Sequence, residues 1–238
     1  MQMTIALLTA AGSGTRMGQD IPKQFLHIND KPVIIYTMER FQNSPLVDAM
    51  ILVTLEHWID FIWSYAKQFK ITKLKWVVPG GATGQESIYN GLSTLCRESP
   101  EDSVVMIHDG NRPMVDNDII SDSIRVYQEY GSAVAAIPCT EAVFKSPDGI
   151  VSNTSIPREQ LYRTQTPHTY DLKDAMWAYE EGRAKGITGT TAICTLMNQL
   201  GREVYFSKGS EKNIKLTTLD DIEIFKALLS TERSGWLV

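Results

Sequence analysis

Three segments of this chain combine residue types that can hold phosphate and compensate negative charge. The first reads Ala10-Ala11-Gly12-Ser13-Gly14-Thr15-Arg16-Met17-Gly18, followed by Pro22-Lys23-Gln24. Small residues let backbone N–H groups approach an anion closely, and Arg16 and Lys23 add the fixed positive charge that a polyphosphate requires. Two familiar nucleotide loops fail on spacing. A dinucleotide fingerprint needs glycine where Met17 sits, and a P-loop needs Gly-Lys-Ser/Thr, which this stretch lacks. The second segment reads Pro79-Gly80-Gly81-Ala82-Thr83-Gly84-Gln85-Glu86-Ser87. Its backbone could cradle a base or a phosphate, or the loop could simply cap the helix that follows. The third, His108-Asp109-Gly110-Asn111-Arg112-Pro113, sets a carboxylate beside an arginine. Asp109 suits Mg²⁺, which takes one or two carboxylates together with substrate phosphates; a local ion pair with Arg112 is the plainer alternative.

Later cations extend the pattern. Arg158 follows Ile156-Pro157, Arg163 precedes Thr164-Gln165-Thr166-Pro167, and Lys215 lies in Asn213-Ile214-Lys215-Leu216-Thr217-Thr218. Lys215, just ahead of a helix N-terminus, could reach an anion held there. Other chemistries lack their residues. The four histidines show no HxxxH-type spacing, no nucleophile elbow occurs, and Cys96, Cys139 and Cys194 are far apart with no zinc spacing.

These loops need a scaffold that carries them to one edge. Hydrophobic periodicity predicts strands at Thr4 to Thr9, Asp48 to Leu55, Leu74 to Val78 and Ser103 to Ile107. They alternate with helices at Pro32 to Gln42, along Trp58, Ile62, Tyr65 and Phe69, and at Gln85 to Arg97; the aromatic stripe of the second reads as helix packing. Beyond them come a helix at Asn117 to Tyr130, a strand at Ala133 to Ile137 and short β-like pieces from Glu141 to Asn153. Helices follow at Leu172 to Ala184, Thr191 to Leu200 and Leu219 to Glu232, with short strands at Val204 to Phe206 and Ile214 to Leu216. Thr218 before Asp220 and Asp221 is an N-cap signal. The expectation is an α/β fold: a Rossmann-like, mostly parallel sheet flanked by helices, forming one domain over 1–238 with an excursion after Ile137. Ligands in such sheets bind outside the carboxyl ends of the strands, where all three loops lie.

Composition agrees. The 238 residues are 43% apolar and 21% charged, which excludes a disordered or fibrous chain. A net charge of −5 gives no global basic field for nucleic acid. No apolar run approaches the roughly 18 to 20 residues of a membrane span, and the first residues lack a signal-peptide pattern. The expectation is a cytoplasmic protein with reduced thiols, with neither nucleic acid nor membrane as partner.

Taken together, AAGSGTRMG with PKQF, the GG loop with Ser87 and Asn90-Gly91-Leu92, HDGNRP, QTPHTY and NIKLTT occur in one order along nearly the whole chain. In this the chain resembles the cytidylyltransferases that make CDP-methylerythritol and their relatives that make CDP-ribitol. The resemblance implies a nucleotidyltransferase that joins CTP to an alcohol phosphate, releases pyrophosphate and uses Mg²⁺. It also implies a homodimer whose β-arm, here about 138–160, lies against the neighbouring subunit's site. Carried over by residue, Ala10, Ala11, Gly12 and Gly14 would wrap CTP, while Arg16 and Lys23 would hold its phosphates. Gly81 and Ser87 would sit by the cytidine, Asp109 near the metal and nucleotide, and Lys215 at the α-phosphate. Arg112, Arg158 and Thr188 would face the alcohol phosphate.

The departures bear on the acceptor. The methylerythritol enzymes usually carry an arginine at the place of Gly84, Asp-Thr at the place of Glu141-Ala142, HDAARP at the place of HDGNRP, and often TDDAS where Thr188-Gly189-Thr190-Thr191-Ala192 stands. Asp30-Lys31-Pro32, Trp58 and Leu161-Tyr162 look more like the ribitol phosphate branch, although that branch too usually keeps the arginine and the Asp-Thr pair. The acceptor expected is therefore an open-chain polyol phosphate, D-ribitol 5-phosphate in type. Methylerythritol phosphate is the alternative acceptor, and a CTP-binding regulator without chemistry is the alternative of another class.

Overall fold

The structure is a computed structural model and describes residues 2–12, 22–190 and 192–234, with side chains as far as Thr231. The chain opens with β1 (Thr4–Ala10), followed by the two-residue strands β2 (His27–Ile28) and β3 (Lys31–Pro32), α1 (Val33–Asn43), β4 (Ala49–Thr54), α2 (Ile59–Gln68) and β5 (Leu74–Pro79). Next come α3 (Gly84–Glu98), β6 (Val104–Asp109), α4 (Asn117–Tyr130) and β7 (Ser132–Pro138). After them run β8 (Val143–Lys145), β9 (Thr154–Ile156), β10 (Tyr162–Asp171), α5 (Leu172–Ala184), α6 (Ile193–Gln199), β11 (Phe206–Lys208) and α7 (Leu219–Ser234).

Seven strands form one sheet in the order β11-β7-β10-β6-β1-β4-β5. All its neighbours pair in parallel except β10, which runs antiparallel to both β6 and β7. Both faces are covered, which is why β1 reads as an unbroken apolar run. Ala6 and Leu8 pack with Ile34, Met38 and Phe41 of α1, while Ile5 and Leu7 pack on the other face with Leu92 and Leu95 of α3. Helix starts follow the capping rules. Thr83 caps α3 and Asp116 caps α4. At α7 the Thr218 hydroxyl accepts from Asp221 N–H while the Asp221 carboxylate takes the N–H groups of Thr217 and Thr218. No helix among the described residues is long and apolar enough to cross a membrane.

The structure departs from the sequence expectations in several places. The strand β10 went unanticipated because its first half, Arg163-Thr164-Gln165-Thr166-Pro167, is polar and contains a proline, which argues against a central strand. The sheet absorbs the proline at a register shift between Thr164 and His168. Ile214 to Leu216 is not a strand but an irregular segment docked by side chains. The strand expected at Val204 to Phe206 begins instead at Phe206, and the helix expected from Thr191 begins at Ile193. The excursion after β7 is a hairpin of β8 and β9 in a sheet of its own, with Phe144, Ile150 and Val151 exposed.

Candidate active site

The carboxyl ends of β1, β4, β5 and β6 surround a cleft of about 550 Å³. On one wall lie Ala10, Ala11 and Gly12 with Lys23, on the opposite wall the Gly81–Ser87 loop, and at the end Asp109 and Lys215. Gly14 and Arg16 lie outside the described residues. The start of the first loop is held by Gln24, whose side-chain amide donates to the carbonyls of Ala10 at 2.6 Å and Gly12 at 2.9 Å. Gln24 sits in a single 3₁₀ turn, Lys23–Phe25. Phe25 anchors that turn by stacking at 3.9 Å on Trp58, which immediately precedes α2, and Trp58, Tyr65 and Phe69 pack against the core.

The second loop is both a helix cap and a cleft wall. Thr83 accepts from Glu86 N–H at 3.1 Å, and the Glu86 carboxylate reaches back to Ala82 N–H at 2.7 Å. Ser87 Oγ accepts from Gly81 N–H and donates to the Thr83 carbonyl, so its hydroxyl braces the loop from within. A Cβ on Gly80 would collide with Ala11, and one on Gly81 with Glu86, so close approach requires both glycines. Gly84 differs: a Cβ there would meet nothing within 4 Å. Packing does not demand glycine at that position, and its presence leaves the wall open.

The Asp109 corner joins three distant parts of the chain. Arg112 Nε donates to Asp109 Oδ2 at 2.9 Å and Lys215 Nζ to Oδ1 at 3.0 Å. Burial alone would raise the Asp109 pKa, but the charges and hydrogen bonds of Lys215 and Arg112 outweigh it and hold the carboxyl well below the usual range. Arg112 also donates to the Asn213 carbonyl at 2.8 Å, and its side chain is only 12% exposed, whereas Lys215 is 42% exposed and accessible to an incoming anion. Lys215 owes its position to its neighbours. Asn111 Nδ2 donates to the Leu216 carbonyl at 2.6 Å, Leu216 N–H returns the bond to Asn111, and Leu216 is buried against Phe225 and Tyr36. Fully buried Asn213 donates to the Thr166 carbonyl at 2.9 Å.

Beneath the corner, His108 is fully buried and lowered to about 4, chiefly by desolvation. Its Nε2 faces the Arg112 carbonyl at 3.1 Å, an acceptor only, so Nε2 carries the proton. Its Nδ1 then accepts from the Thr166 hydroxyl, whose oxygen accepts Asp109 N–H at 3.0 Å. His108 is a neutral strut at pH 7.

Not every residue singled out in the sequence reaches the cleft. Thr188 lines a neighbouring hollow with Thr83, Gln85 and Arg183, and Thr190 takes the place on the cleft wall. Gln85 sets that loop by donating to the Ile187 carbonyl and accepting Gly189 N–H. Arg158 lies at the base of the arm, 57% exposed, bonded to the Thr140 carbonyl and outside the cleft of its own chain. Gln24, Asn111 and Asn213 stand inside the three motifs but receive no role from the sequence; their partners lie 12 to 105 residues away.

The family model for 2-C-methyl-D-erythritol 4-phosphate cytidylyltransferase matches residues 4–231. A ribitol-5-phosphate cytidylyltransferase of Lacticaseibacillus paracasei is 43% identical over 95% of this chain and 98% of its own length. A 2-C-methyl-D-erythritol 4-phosphate cytidylyltransferase of Geotalea uraniireducens is 37% identical over 96% and 97%. In fold, the chain matches the 4-diphosphocytidyl-2C-methyl-D-erythritol synthase of Anaerococcus prevotii with a TM-score of 0.83 over 96% of both chains, at 24% identity. A cleft that gathers lysines and backbone amides at the carboxyl edge of a mostly parallel sheet, and a match along almost the entire chain, have one joint conclusion: this protein belongs to the 2-C-methyl-D-erythritol 4-phosphate cytidylyltransferase family.

Proposed function

We propose that this protein transfers CMP from CTP to ribitol 5-phosphate, forming CDP-ribitol and releasing pyrophosphate. The observation that carries the choice of acceptor is the 43% identity, over nearly both full lengths, to a ribitol-5-phosphate cytidylyltransferase, against 37% to the methylerythritol enzyme. In this reading an acceptor phosphate oxygen attacks the α-phosphorus of CTP as the bond to pyrophosphate breaks. The protein's work is to bring two anions together in line and compensate the charge on the transferring group. Lys23 and the Ala10–Gly12 backbone receive the triphosphate, Lys215 the α-phosphate, and Gly81 and the loop braced by Ser87 the cytidine. Arg16 and Gly14 belong to the same phosphate loop by sequence. Arg112 holds the acceptor phosphate, Asp109 stands by the nucleotide and its metal, and Thr190, which lines the cleft, takes the part that the resemblance gave to Thr188. No general base is required. A phosphate monoester has a second pKa of about 6 and arrives ionised at neutral pH.

Among the described residues no three ligating side chains cluster as a metal site. The donor set instead suits Mg²⁺ carried in on the triphosphate, with Asp109 as the protein's carboxylate for it. When bound, that ion would neutralise phosphate charge. We also infer a homodimer in which the exposed Phe144, Ile150 and Val151 of the arm are covered by the neighbouring subunit and Arg158 is delivered to that subunit's acceptor. Free cysteines fit a reducing cytoplasm.

Purified protein with CTP, Mg²⁺ and either acceptor, scored by pyrophosphate release, tests the proposal. The expected result is a kcat/KM for ribitol 5-phosphate above that for methylerythritol phosphate by roughly tenfold or more. The reverse ranking assigns the chain to the methylerythritol branch. Tight CTP binding with no pyrophosphate from any acceptor makes it a regulator.

A further inference from the structure

Residues 186–190 lead from the end of α5 to the cleft wall at Thr190. The helix itself fixes where this loop starts. Gly186 stands in the left-handed region at φ 67°, its N–H bonds to the Arg183 carbonyl, and Ile187 N–H bonds to the Gly182 carbonyl. This pair of bonds closes a Schellman motif, and Ile187 then packs against the core. A second left-handed glycine, Gly189 at φ 75°, turns the chain again just before Thr190.

Past Ile187 the loop is tied down by a single side chain. Gln85 Nε2 donates to the Ile187 carbonyl at 3.2 Å, and Gln85 Oε1 accepts Gly189 N–H at 3.0 Å. Among the described residues no other hydrogen bond reaches 188–190. The amide can sit only one way round, because a flip would set N–H against N–H and oxygen against oxygen. Thr188, between the two bonded backbone groups, lines the neighbouring hollow; Thr190, one residue past the second bond, lines the cleft.

Gln85 is a firm anchor for such a tie. It stands in the first turn of α3, where Thr83 caps the helix and Ser87 braces the preceding loop. Further along, Leu92 and Leu95 of α3 are buried on the sheet, and Gly91 lies so near Leu7 and Val53 that a Cβ would collide with both. One side chain therefore joins the second glycine loop to backbone 102 and 104 residues further on. Transfer between two bound phosphates is sensitive to such a joint, since displacing a positioning group by about 1 Å can cost roughly a hundredfold in rate.

Resting on the functional reading above, we propose that Gln85 is a positioning residue for the acceptor: anchored in the nucleotide-side loop, its amide fixes the backbone on both sides of Thr188 and so holds Thr190 at the acceptor. Gln85 acts through this loop and not by touching either substrate. Leucine at position 85 would keep the bulk and remove both bonds. The turn at 188–190 would then rest on glycine's own backbone preference, which is weak.

The test is a double-mutant cycle read in the acceptor's kcat/KM at saturating CTP, with the CTP Kd measured by calorimetry. Gln85→Leu removes both bonds, and Thr190→Val removes the hydroxyl while keeping the shape. Each should lower kcat/KM for ribitol 5-phosphate about tenfold, the size of one hydrogen bond. Because Gln85 works through Thr190, the double variant should also lose about tenfold, not the roughly hundredfold of independent effects. The CTP Kd should stay unchanged in all three. If Gln85→Leu fails to fold, Gly189→Ala takes its place, since a Cβ at φ 75° strains the same turn from within. Losses that multiply to about a hundredfold would show Gln85 acting independently of Thr190 and would overturn the proposal. So would an unchanged kcat/KM in either single variant, or a CTP Kd that weakens as much as the acceptor's kcat/KM falls. If methylerythritol phosphate is the preferred acceptor, the functional reading fails, while the same cycle run on that acceptor still decides the role of Gln85. No turnover with any acceptor overturns both.

Discussion

The Asp109 corner and the arm hold themselves together in opposite ways. At the corner, the bonds cross long stretches of chain: Asn111 to Leu216, Arg112 to Asn213, Lys215 to Asp109 and Asn213 to Thr166. In the arm they close within a few residues, as in Ser146 with Asp148 and Val151, Asp148 with the N–H groups of Ile150 and Val151, and Ser152 with the Lys145 carbonyl. The corner buries its polar groups against partners brought by the fold. The arm satisfies its backbone locally and leaves Phe144, Ile150 and Val151 to solvent or to another surface. Preorganisation for charge thus resides in the corner. The arm is a self-contained hairpin whose apolar residues stay largely outside the chain's own core.

The largest expected effect is acid sensitivity of the corner. His108 and His168 are held near 4 in the fold against 6.5 unfolded, both first by desolvation. Below pH 6.5 the unfolded chain takes up protons that the folded one refuses, so stability declines as pH falls to about 4 and this contribution then levels off. The loss is up to about 3 kcal/mol per histidine. Denaturant melts between pH 7 and pH 4 should show this decline, and His168→Gln should remove about half of it. A flat profile would mean that the corner is not closed to protons.

Next is Lys215→Ala, expected to lower kcat about a hundredfold, or about 3 kcal/mol, by removing a preorganised cation. Unchanged turnover would move the chemistry away from the corner. Asn213→Ala follows. It strips the Thr166 and Gln165 contacts from a fully buried site and should cost about 2 kcal/mol in urea unfolding. Smallest is the effect of Ile150→Ser with Phe144→Ser. Unfolding stability of the chain itself should stay within about 0.5 kcal/mol, since both side chains are exposed. Sedimentation should show a weakened dimer. Arm variants that destabilise the chain as much as Asn213→Ala would erase the contrast between the two regions.

Much of the frame was legible because its signals are local. Apolar runs marked the buried parallel strands, Thr218 with Asp221 marked the start of α7, and the glycine loops marked the cleft. The rest depends on distant partners. The polar half of β10 reads as loop until Ser210 and Asn213 bind Gln165. The segment 214–216 has strand-like residues, yet Asn111 docks it without a ladder. Thr188 and Thr190 stand two residues apart in one loop, and in the fold Gln85 bonds the backbone on both sides of Thr188 while Thr190 lines the cleft.

By itself, the sequence determined the chemical class. Small residues and cations at strand ends, in one order, describe a protein that binds polyphosphate, and periodicity alone implies the doubly covered sheet. Tertiary structure alone decided which charges meet. Asp109 and Lys215 stand 106 residues apart, and their pairing at 3.0 Å arises because β6 ends beside a segment pinned by Asn111 and buried Leu216. The same holds for His168 in QTPHTY, whose Nε2 is buried without a hydrogen-bond partner while the Gln165 backbone serves the ring.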